Sequence, residues 1–179
     1  EADTYSLTIT LTIKEMTVAA ENVSAEYDGK AHGITVNVTE PTSGYTVKYG
    51  TTEDTCNQTE SPTITNVADS PLTVYYQVTA DNYKTKTGSA TVKLTKASQS
   101  KPVLTSTNET IDGKADGTIT GLTEKMEIST ASATSGFEPV TDTSGTGYAA
   151  GTYYVRYAED ENYTASVAAS VIINTGSKI

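Results

Sequence analysis

The feature that most constrains the fold is a hairpin-like segment, residues 72–96, whose pattern returns later in the chain. Val74, Tyr76 and Val78 fall on one face of this segment, and mostly polar side chains fall on the other. A period of two residues is typical of a β-strand with one buried face. Turn residues 80–82 interrupt the alternation, which then resumes. The segment therefore predicts two strands joined by a turn, with the Val74 face buried.

The same pattern returns in residues 152–174, which suggests that the chain contains two related units. Four segments of the first unit correspond, in the same order, to segments of the second: 28–31 with 112–115, 45–48 with 126–129, Tyr75-Tyr76 with Tyr153-Tyr154, and Asn82-Tyr83 with Asn162-Tyr163. A unit of about 80 residues is near the lower end of the domain size range and is too long for a solenoid repeat. Each unit should therefore have its own core.

These correspondences predict two domains, at residues 16–97 and 102–175. The short polar segment 98–101, just before Pro102, is predicted to be the linker. Because this segment is short, we expect it to join the domains with limited freedom.

Residues 1–15 contain the most regular alternation in the chain, with apolar side chains at the odd positions from Leu7 to Ile13. This alternation predicts a strand at residues 5–14, which resembles the closing strands of both domains. It is either the last strand of a preceding unit or the first strand of domain 1. Because an unpaired apolar edge invites pairing with another chain, we expect it to dock on domain 1 or on a neighbouring molecule.

The composition favours an all-β fold with almost no helix. Thr, Val, Ile and Tyr suit a pleated, half-buried surface, and no window shows a sustained apolar period of 3.6 residues. Short strands between Gly, Asp, Asn and Ser turns indicate a sandwich or a barrel. Further strands are predicted within Met16–Tyr27, Ile34–Val38, Tyr45–Tyr49, Ile64–Val67, Val103–Thr107 and Met126–Ile128.

Charge and cysteine content exclude several classes of protein. The net charge of −10 repels polyanions, so nucleic acid is not an expected partner. No apolar run approaches the roughly 20 residues of a membrane span. Cys56 is the only cysteine, which excludes a disulfide framework within the chain and is compatible with a cytosolic or a bacterial surface protein.

Three stretches of domain 1 carry a family resemblance: YDGKAHGITVNV, GYTVKYGTTEDT and LTVYYQVTADNYKTKTGSATVKLTKA. They resemble the immunoglobulin-like β-sandwich repeats of large bacterial surface proteins, and most of all their MBG-type repeats. The resemblance covers roughly residues 16–97, and domain 2 shares it through AAGTYYVRYAEDENY. It implies two tandem immunoglobulin-like β-sandwich domains in an elongated arrangement. It also implies an extracellular, cell-wall-attached array, often in an adhesin, with no shared catalytic residues.

We therefore expect a non-catalytic stalk or spacer, without a cofactor. Its expected partners are the neighbouring repeats of the same chain, and a host or glycan ligand would be bound through another region. The alternative is a carbohydrate-binding sandwich that presents exposed tyrosines.

Two residues are candidates for nucleophilic chemistry, which needs a nucleophile, a base and an orienting group. His32 is the only histidine, follows the Asp28-Gly29 turn, and is expected to be an exposed turn residue. Cys56 lies in a polar loop, and nothing in the sequence links it to His32.

Carboxylates are the candidate calcium ligands, at Asp112, at Asp116 and in the run Glu159–Glu161. Calcium needs six to eight converging oxygens, and no EF-hand spacing is present. We therefore predict solvated loops and no metal site.

Tyrosines and lysines are the remaining candidates. Tyr75 and Tyr154 lie opposite the predicted core faces and could stack on a sugar, or pack against cross-strand neighbours. Tyr83 and Tyr163 follow a turn and enter a strand, as in the tyrosine corner of immunoglobulin-like sandwiches. A Lys–Asn isopeptide cross-link would need an inward lysine. The alternation predicts that two lysines on the strands face outward: Lys48 and Lys93.

Overall fold

The computed structural model describes residue 10 and residues 12–178. Residues 5–9 and 11, which belong to the predicted strand 5–14, lie outside the described part. The chain forms two compact units that divide between Thr95 and Lys96. The strands of unit 1 are β1 (Thr17–Ala20), β2 (Val23–Glu26), β3 (Val36–Glu40), β4 (Tyr45–Gly50), β5 (Leu72–Ala80) and β6 (Lys86–Thr95). The strands of unit 2 are β7 (Thr105–Thr107), β8 (Gly117–Thr120), β9 (Met126–Ser129), β10 (Glu138–Pro139), β11 (Thr146–Tyr148), β12 (Gly151–Tyr157) and β13 (Ala169–Ile173).

Both units are all-β, as the composition predicts. Within the described residues, the single helical element is the 3₁₀ turn Val67–Asp69. The prediction of a strand at Ile64–Val67 was therefore wrong. Ile64 makes one isolated bridge with His32, and the chain then bends into the 3₁₀ turn before it can extend the pairing.

Unit 1 is a sandwich of two sheets that share one core. One sheet pairs β1 with β3, and the other has the order β2-β6-β5-β4. The core contains apolar side chains from both sheets and from the segments that connect them: Met16, Ile34, Val38, Ile64, Val74, Tyr76, Val78, Ala90, Val92 and Leu94. Val74, Tyr76 and Val78 are thus buried, as the alternation in β5 predicts.

The predicted strand Met16–Tyr27 is two strands that belong to different sheets. β1 pairs antiparallel with β3, whereas β2 pairs parallel with β6. Asn22 lies at the break, where its side-chain oxygen accepts the backbone N–H of Thr91 at 2.8 Å. This hydrogen bond to β6 holds the chain where it leaves one sheet and joins the other, and the alternation of apolar residues does not reveal it.

Unit 2 repeats the two-sheet arrangement. Its sheets have the orders β10-β9-β12-β13 and β11-β8-β7, and all the pairs are antiparallel. Its buried core again contains residues from both sheets: Ile119, Leu122, Met126, Val140, Val155, Val171 and Ile173. The predicted strand Met126–Ile128 corresponds to β9, and the predicted strand Val103–Thr107 corresponds to the shorter β7.

The two units place corresponding segments in equivalent strands. β4, β5 and β6 occupy the C, F and G positions of an immunoglobulin-like sandwich, and so do β9, β12 and β13. The segment pairs 45–48 and 126–129, and Tyr75-Tyr76 and Tyr153-Tyr154, therefore lie in the C and F strands of their own units. Each unit is an immunoglobulin-like β-sandwich.

The division between the units lies before the predicted linker, residues 98–101. Within that segment, the Gln99 side-chain amide donates to the carbonyls of Ala158 and Thr164, at 3.0 and 2.9 Å. Gln99 is therefore held by unit 2. The polar composition of residues 98–101 predicts a linker. The Gln99 side chain, however, donates to two backbone carbonyls of unit 2, to which it belongs.

Candidate functional site

The only histidine of the chain lies beside a carboxylate in unit 1. His32 Nε2 is 2.8 Å from Asp28 Oδ1, and 21% of the His32 side chain is exposed. Its backbone pairs with Ile64, so the ring is half-buried rather than exposed as predicted. The hydrogen bond with His32, followed by that from the Lys30 N–H, lowers the pKa of Asp28. These contacts order the turn between β2 and β3.

Nucleophilic catalysis needs a nucleophile and a base that a third group orients. The hydrogen bond of the His32 ring is made with the Asp28 carboxylate. Cys56 is half-buried, and burial raises the pKa of its thiol. A raised thiol pKa disfavours the reactive thiolate. Half-burial and a raised pKa give Cys56 the surroundings of a structural thiol.

The candidate calcium ligand Asp116 orders the loop between β7 and β8. Its Oδ1 accepts the Thr110 N–H at 2.8 Å, and its Oδ2 accepts the Thr110 hydroxyl at 2.5 Å. The ammonium of Lys114 lies 3.0 Å from Oδ2. The Thr110 side-chain and backbone hydrogen bonds are the main cause that lowers the pKa of Asp116 to about 2. The carboxylate thus closes the loop upon itself.

We predict that Asp116 makes the stability of unit 2 depend on acid pH. Its folded pKa of about 2 is below its ordinary value of 3.8, so its stabilising contribution is present above pH 4 and is lost as pH falls toward 2. Asp116→Asn should flatten the pH dependence of the midpoint of thermal unfolding over this interval.

The matched control for this prediction is Asp112→Asn. Within the described structure no hydrogen bond involves the Asp112 carboxylate, although its backbone N–H donates to Ser177. The control should retain the wild-type dependence between pH 4 and pH 2. Equal dependence in wild type and Asp116→Asn would contradict the assignment.

Sequence reasoning missed Glu109, a buried carboxylate in the same loop. The residue is 5% exposed. Its Oε1 accepts the Ala115 N–H at 2.8 Å, and its Oε2 accepts the Gly113 N–H at 3.3 Å. The one available signal was a Glu placed shortly before the Asp112-Gly113 turn. That signal does not distinguish a buried acceptor from a solvated loop residue.

Carboxylates of the acidic run, residues 159–161, also make contacts within unit 2. Glu159 pairs with the Lys96 ammonium at 2.6 Å. Asp160 Oδ1 accepts the backbone N–H groups of Asn162 and Tyr163, both at 2.8 Å. Within residues 10 and 12–178, no three His, Cys, Asp or Glu side chains are grouped so that they could hold a metal ion.

The tyrosines proposed as sugar platforms are half-buried on the F strands. Tyr75 and Tyr154 both have intermediate exposure. Tyr75 helps to line a cavity of about 180 Å³ together with Glu53, Tyr76 and Gly88. Pockets that enclose small ligands typically measure about 300–1,000 Å³. The cavity beside Tyr75 is smaller than this range.

Tyr83 lies just beyond the turn between β5 and β6, as predicted, but it does not make the tyrosine-corner hydrogen bond. Its hydroxyl donates to the Glu40 carboxylate in a short hydrogen bond, whereas a tyrosine corner bonds to backbone. The Lys14 ammonium lies 5.7 Å from its ring centroid. The hydrogen bond with Glu40 is the main cause that raises the pKa of Tyr83. Tyr163 occupies the corresponding turn of unit 2.

We predict that Glu40→Gln lowers the pKa of Tyr83 toward the ordinary tyrosine value. A neutral amide does not disfavour the phenolate as a carboxylate does. The measurement is an NMR titration of tyrosine labelled at Cζ, with the Tyr83 signal assigned through Tyr83→Phe. An unchanged Tyr83 titration in Glu40→Gln would contradict the contact.

The two lysines considered for an isopeptide cross-link have different exposures. Lys93 is exposed, as the alternation in β6 predicts. Lys48 in β4 is half-buried. Neither is enclosed in a core, which is where the cross-link would need its lysine.

A second cluster that sequence reasoning missed lies on the outer face of the larger sheet of unit 2. Arg156 in β12 forms an ion pair with Glu127, its cross-strand neighbour in β9. The Arg156 guanidinium carbon also lies 4.0 Å from the centroid of the Phe137 ring. The planar guanidinium is pre-organised for pairing with a carboxylate and also stacks on an aromatic face, so this cluster stabilises the sheet. Arg156 further borders an open groove of about 470 Å³ beside Val167, which is 75% exposed.

The described residues contain no helix that is long and apolar enough to cross a membrane. No family model and no curated protein matches the chain.

Three solved structures are among those similar to the chain. Murine CEACAM1b has 16% sequence identity and a TM-score of 0.33, and the match covers 91% of this chain and 100% of that one. Extracellular domains 3–5 of Drosophila OTK have 10% identity and a TM-score of 0.26, with 92% of this chain and 66% of that one covered. The N-terminal eight Ig domains of DSCAM have 11% identity and a TM-score of 0.27; 96% of this chain is matched, over 23% of that one. The immunoglobulin-like assignment is based on strand order and not on these similarities.

Proposed function

We propose that the chain forms two tandem spacer modules in the stalk of a bacterial cell-surface protein of the MBG type, such as an adhesin. The observation that supports this function is that each unit encloses its own core. Unit 1 buries Val74, Val78 and Val92 completely, and unit 2 does the same with Ile119 and Val155. A module with its own core keeps its fold when its neighbours are pulled or removed.

The polar candidates support a structural role as well. Asp28, Glu109, Asp116 and Asp160 each accept backbone N–H groups of their own loops. Their oxygens stabilise turns, which leaves them less available to a ligand. We accordingly assign binding of a host or glycan ligand to other regions of the complete protein, with the neighbouring modules as the partners of these two units.

Single-molecule stretching tests the spacer function. With the chain held between two handles, each unit should unfold in its own force event, so two events are expected per molecule. One event for the whole chain would contradict independent modules. Labelling of intact bacteria with an antibody against the chain tests the location, and labelling only after lysis would contradict a surface protein.

The second candidate function is glycan binding through the F-strand tyrosines. It is favoured by the position of Tyr75 at a small cavity beside Glu53. A glycan array discriminates the two functions when it is run with wild type and with Tyr75→Ala. The spacer function predicts no specific binding by either protein. Specific binding that Tyr75→Ala abolishes would favour the glycan module.

A further inference from the structure

The residue that leads into the first strand of each unit pairs with the turn between the F and G strands. In unit 2 this residue is Ala97, whose N–H donates to the Asn162 carbonyl at 3.0 Å. Its own carbonyl accepts the Thr164 N–H at 2.9 Å. The two hydrogen bonds form a parallel bridge between Ala97 and Tyr163.

Unit 1 has the same arrangement at Lys14. The Lys14 N–H donates to the Asn82 carbonyl at 2.9 Å, and its carbonyl accepts the Lys84 N–H, also at 2.9 Å. A parallel bridge joins Lys14 to Tyr83. Lys14 and Ala97 are therefore structurally equivalent, with an offset of 83 residues (97 − 14).

This offset aligns residues 4–12 with residues 87–95 of β6, the closing strand of unit 1. The identical pairs are Thr4 and Thr87, Ser6 and Ser89, Thr8 and Thr91, Leu11 and Leu94, and Thr12 and Thr95. The structural equivalence of Lys14 and Ala97 sets this register independently of the identical residues.

The aligned residues also match in apolar and polar character. Ala90, Val92 and Leu94 are the buried residues of β6, at 4%, 0% and 3% exposure. Their counterparts in residues 4–12 are all apolar: Leu7, Ile9 and Leu11. The outward residues Thr91, Lys93 and Thr95 correspond to threonines. A shift of one residue would place threonines in the core.

In unit 1 the closing-strand position is already filled. β6 lies between β2 and β5, with both of its edges paired. A second strand with the same pattern therefore has no closing position left in unit 1. One residue separates Thr12 from Lys14, and one residue likewise separates Thr95 from Ala97.

We propose that residues 4–12 are the closing strand of a further β-sandwich unit that precedes Lys14 in the complete protein. The partner is thus a unit of the same kind, bound through backbone pairing and through burial of Leu7, Ile9 and Leu11. The proposal extends the proposed function, because it adds a third module to the array.

A chimera tests the proposal. Residues 14–88 are duplicated and fused directly before Ser6 of the chain, so that residues 6–12 take the place of 89–95 in the added copy. Gly88 is retained, because a Cβ at that position would lie 2.4 Å from the Tyr76 hydroxyl oxygen. We expect the added copy to fold, with protected backbone amides in hydrogen exchange.

The matched control fuses the same residues before Leu7, which shifts the register by one and turns Thr8, Thr10 and Thr12 inward. The added copy should then remain unfolded. Since Leu7 replaces Ala90 and could overpack the duplicated core, a Leu7→Ala version of the in-register chimera is measured beside it. An added copy that is unfolded in both in-register chimeras, or equally folded in the shifted one, would overturn the proposal.

Deletion of residues 1–12 from the chain tests the competing possibility, that the segment belongs to unit 1. If it closes another unit, the deletion should leave the unfolding midpoint of unit 1 unchanged. A fall of several degrees would overturn the proposal. It would leave the spacer function intact, because that function depends on the independence of units 1 and 2 and not on a third unit.

Discussion

Replacing Ile119 with alanine should lower the free energy of unfolding of unit 2 by about 2–5 kcal/mol and leave unit 1 unchanged. Ile119 lies in β8 and is fully buried, at 0% exposure. Its side chain packs between the two sheets of unit 2, so truncation removes apolar contact and leaves a cavity. The effect should be confined to one unit because the cores of the two units contain different residues.

Denaturant titration followed by two-dimensional amide NMR measures this difference for each unit, which suits a chain without tryptophan. Ile64→Ala, in the core of unit 1, is the reciprocal control and should destabilise only unit 1. Equal destabilisation of both units by either change would show that they unfold as one.

Glu109→Gln should destabilise unit 2 by about 1.5–3 kcal/mol, the usual contribution of hydrogen bonds to a charged group. The buried carboxylate accepts the N–H groups of Ala115 and Gly113 with its two oxygens. Glutamine keeps one acceptor oxygen but turns its amide group toward the other N–H. The glutamine NH₂ group and a backbone N–H, both of them donors, then face each other in a buried site.

The control for this change is Glu138→Gln, because Glu138 is exposed in β10. Its free energy of unfolding, from the same titration, should stay close to that of wild type. A Glu109→Gln protein as stable as wild type would contradict the role of Glu109 as a buried acceptor.

The strands with one buried face could be predicted because their pattern carries the information by itself. Val74, Tyr76 and Val78 alternate with polar residues, and the structure buries them. The same holds for Ala90, Val92 and Leu94 in β6. In these strands the burial of one face determines which residues are apolar, so the period of two appears in the sequence.

Features that depend on one long-range hydrogen bond could not be predicted. The break between β1 and β2 is held by the Asn22 side chain, whose partner Thr91 is far along the chain. The Tyr83 hydroxyl bonds to Glu40, at the end of β3. Neither spacing forms a local pattern, so the sequence alone predicted one long strand and a backbone-bonded corner.

The candidate site was predicted as a set of separate residues, and the structure assigns most of them to turns. Asp116 and Asp160 accept nearby backbone N–H groups, which a residue type alone does not reveal. Glu109 was missed because a carboxylate beside a turn is usually solvated. Its burial depends on how the turn folds back over it.

Separate expression of residues 14–95 and 96–178 tests the central claim most directly, that the chain consists of two self-sufficient sandwiches. These bounds keep Lys14 and Ala97, each with its bridge to the F–G turn of its own unit. The account predicts that each fragment gives the dispersed amide NMR spectrum and the cooperative unfolding transition that its unit shows in the whole chain. Two unfolded fragments from a chain that is folded when intact would contradict it.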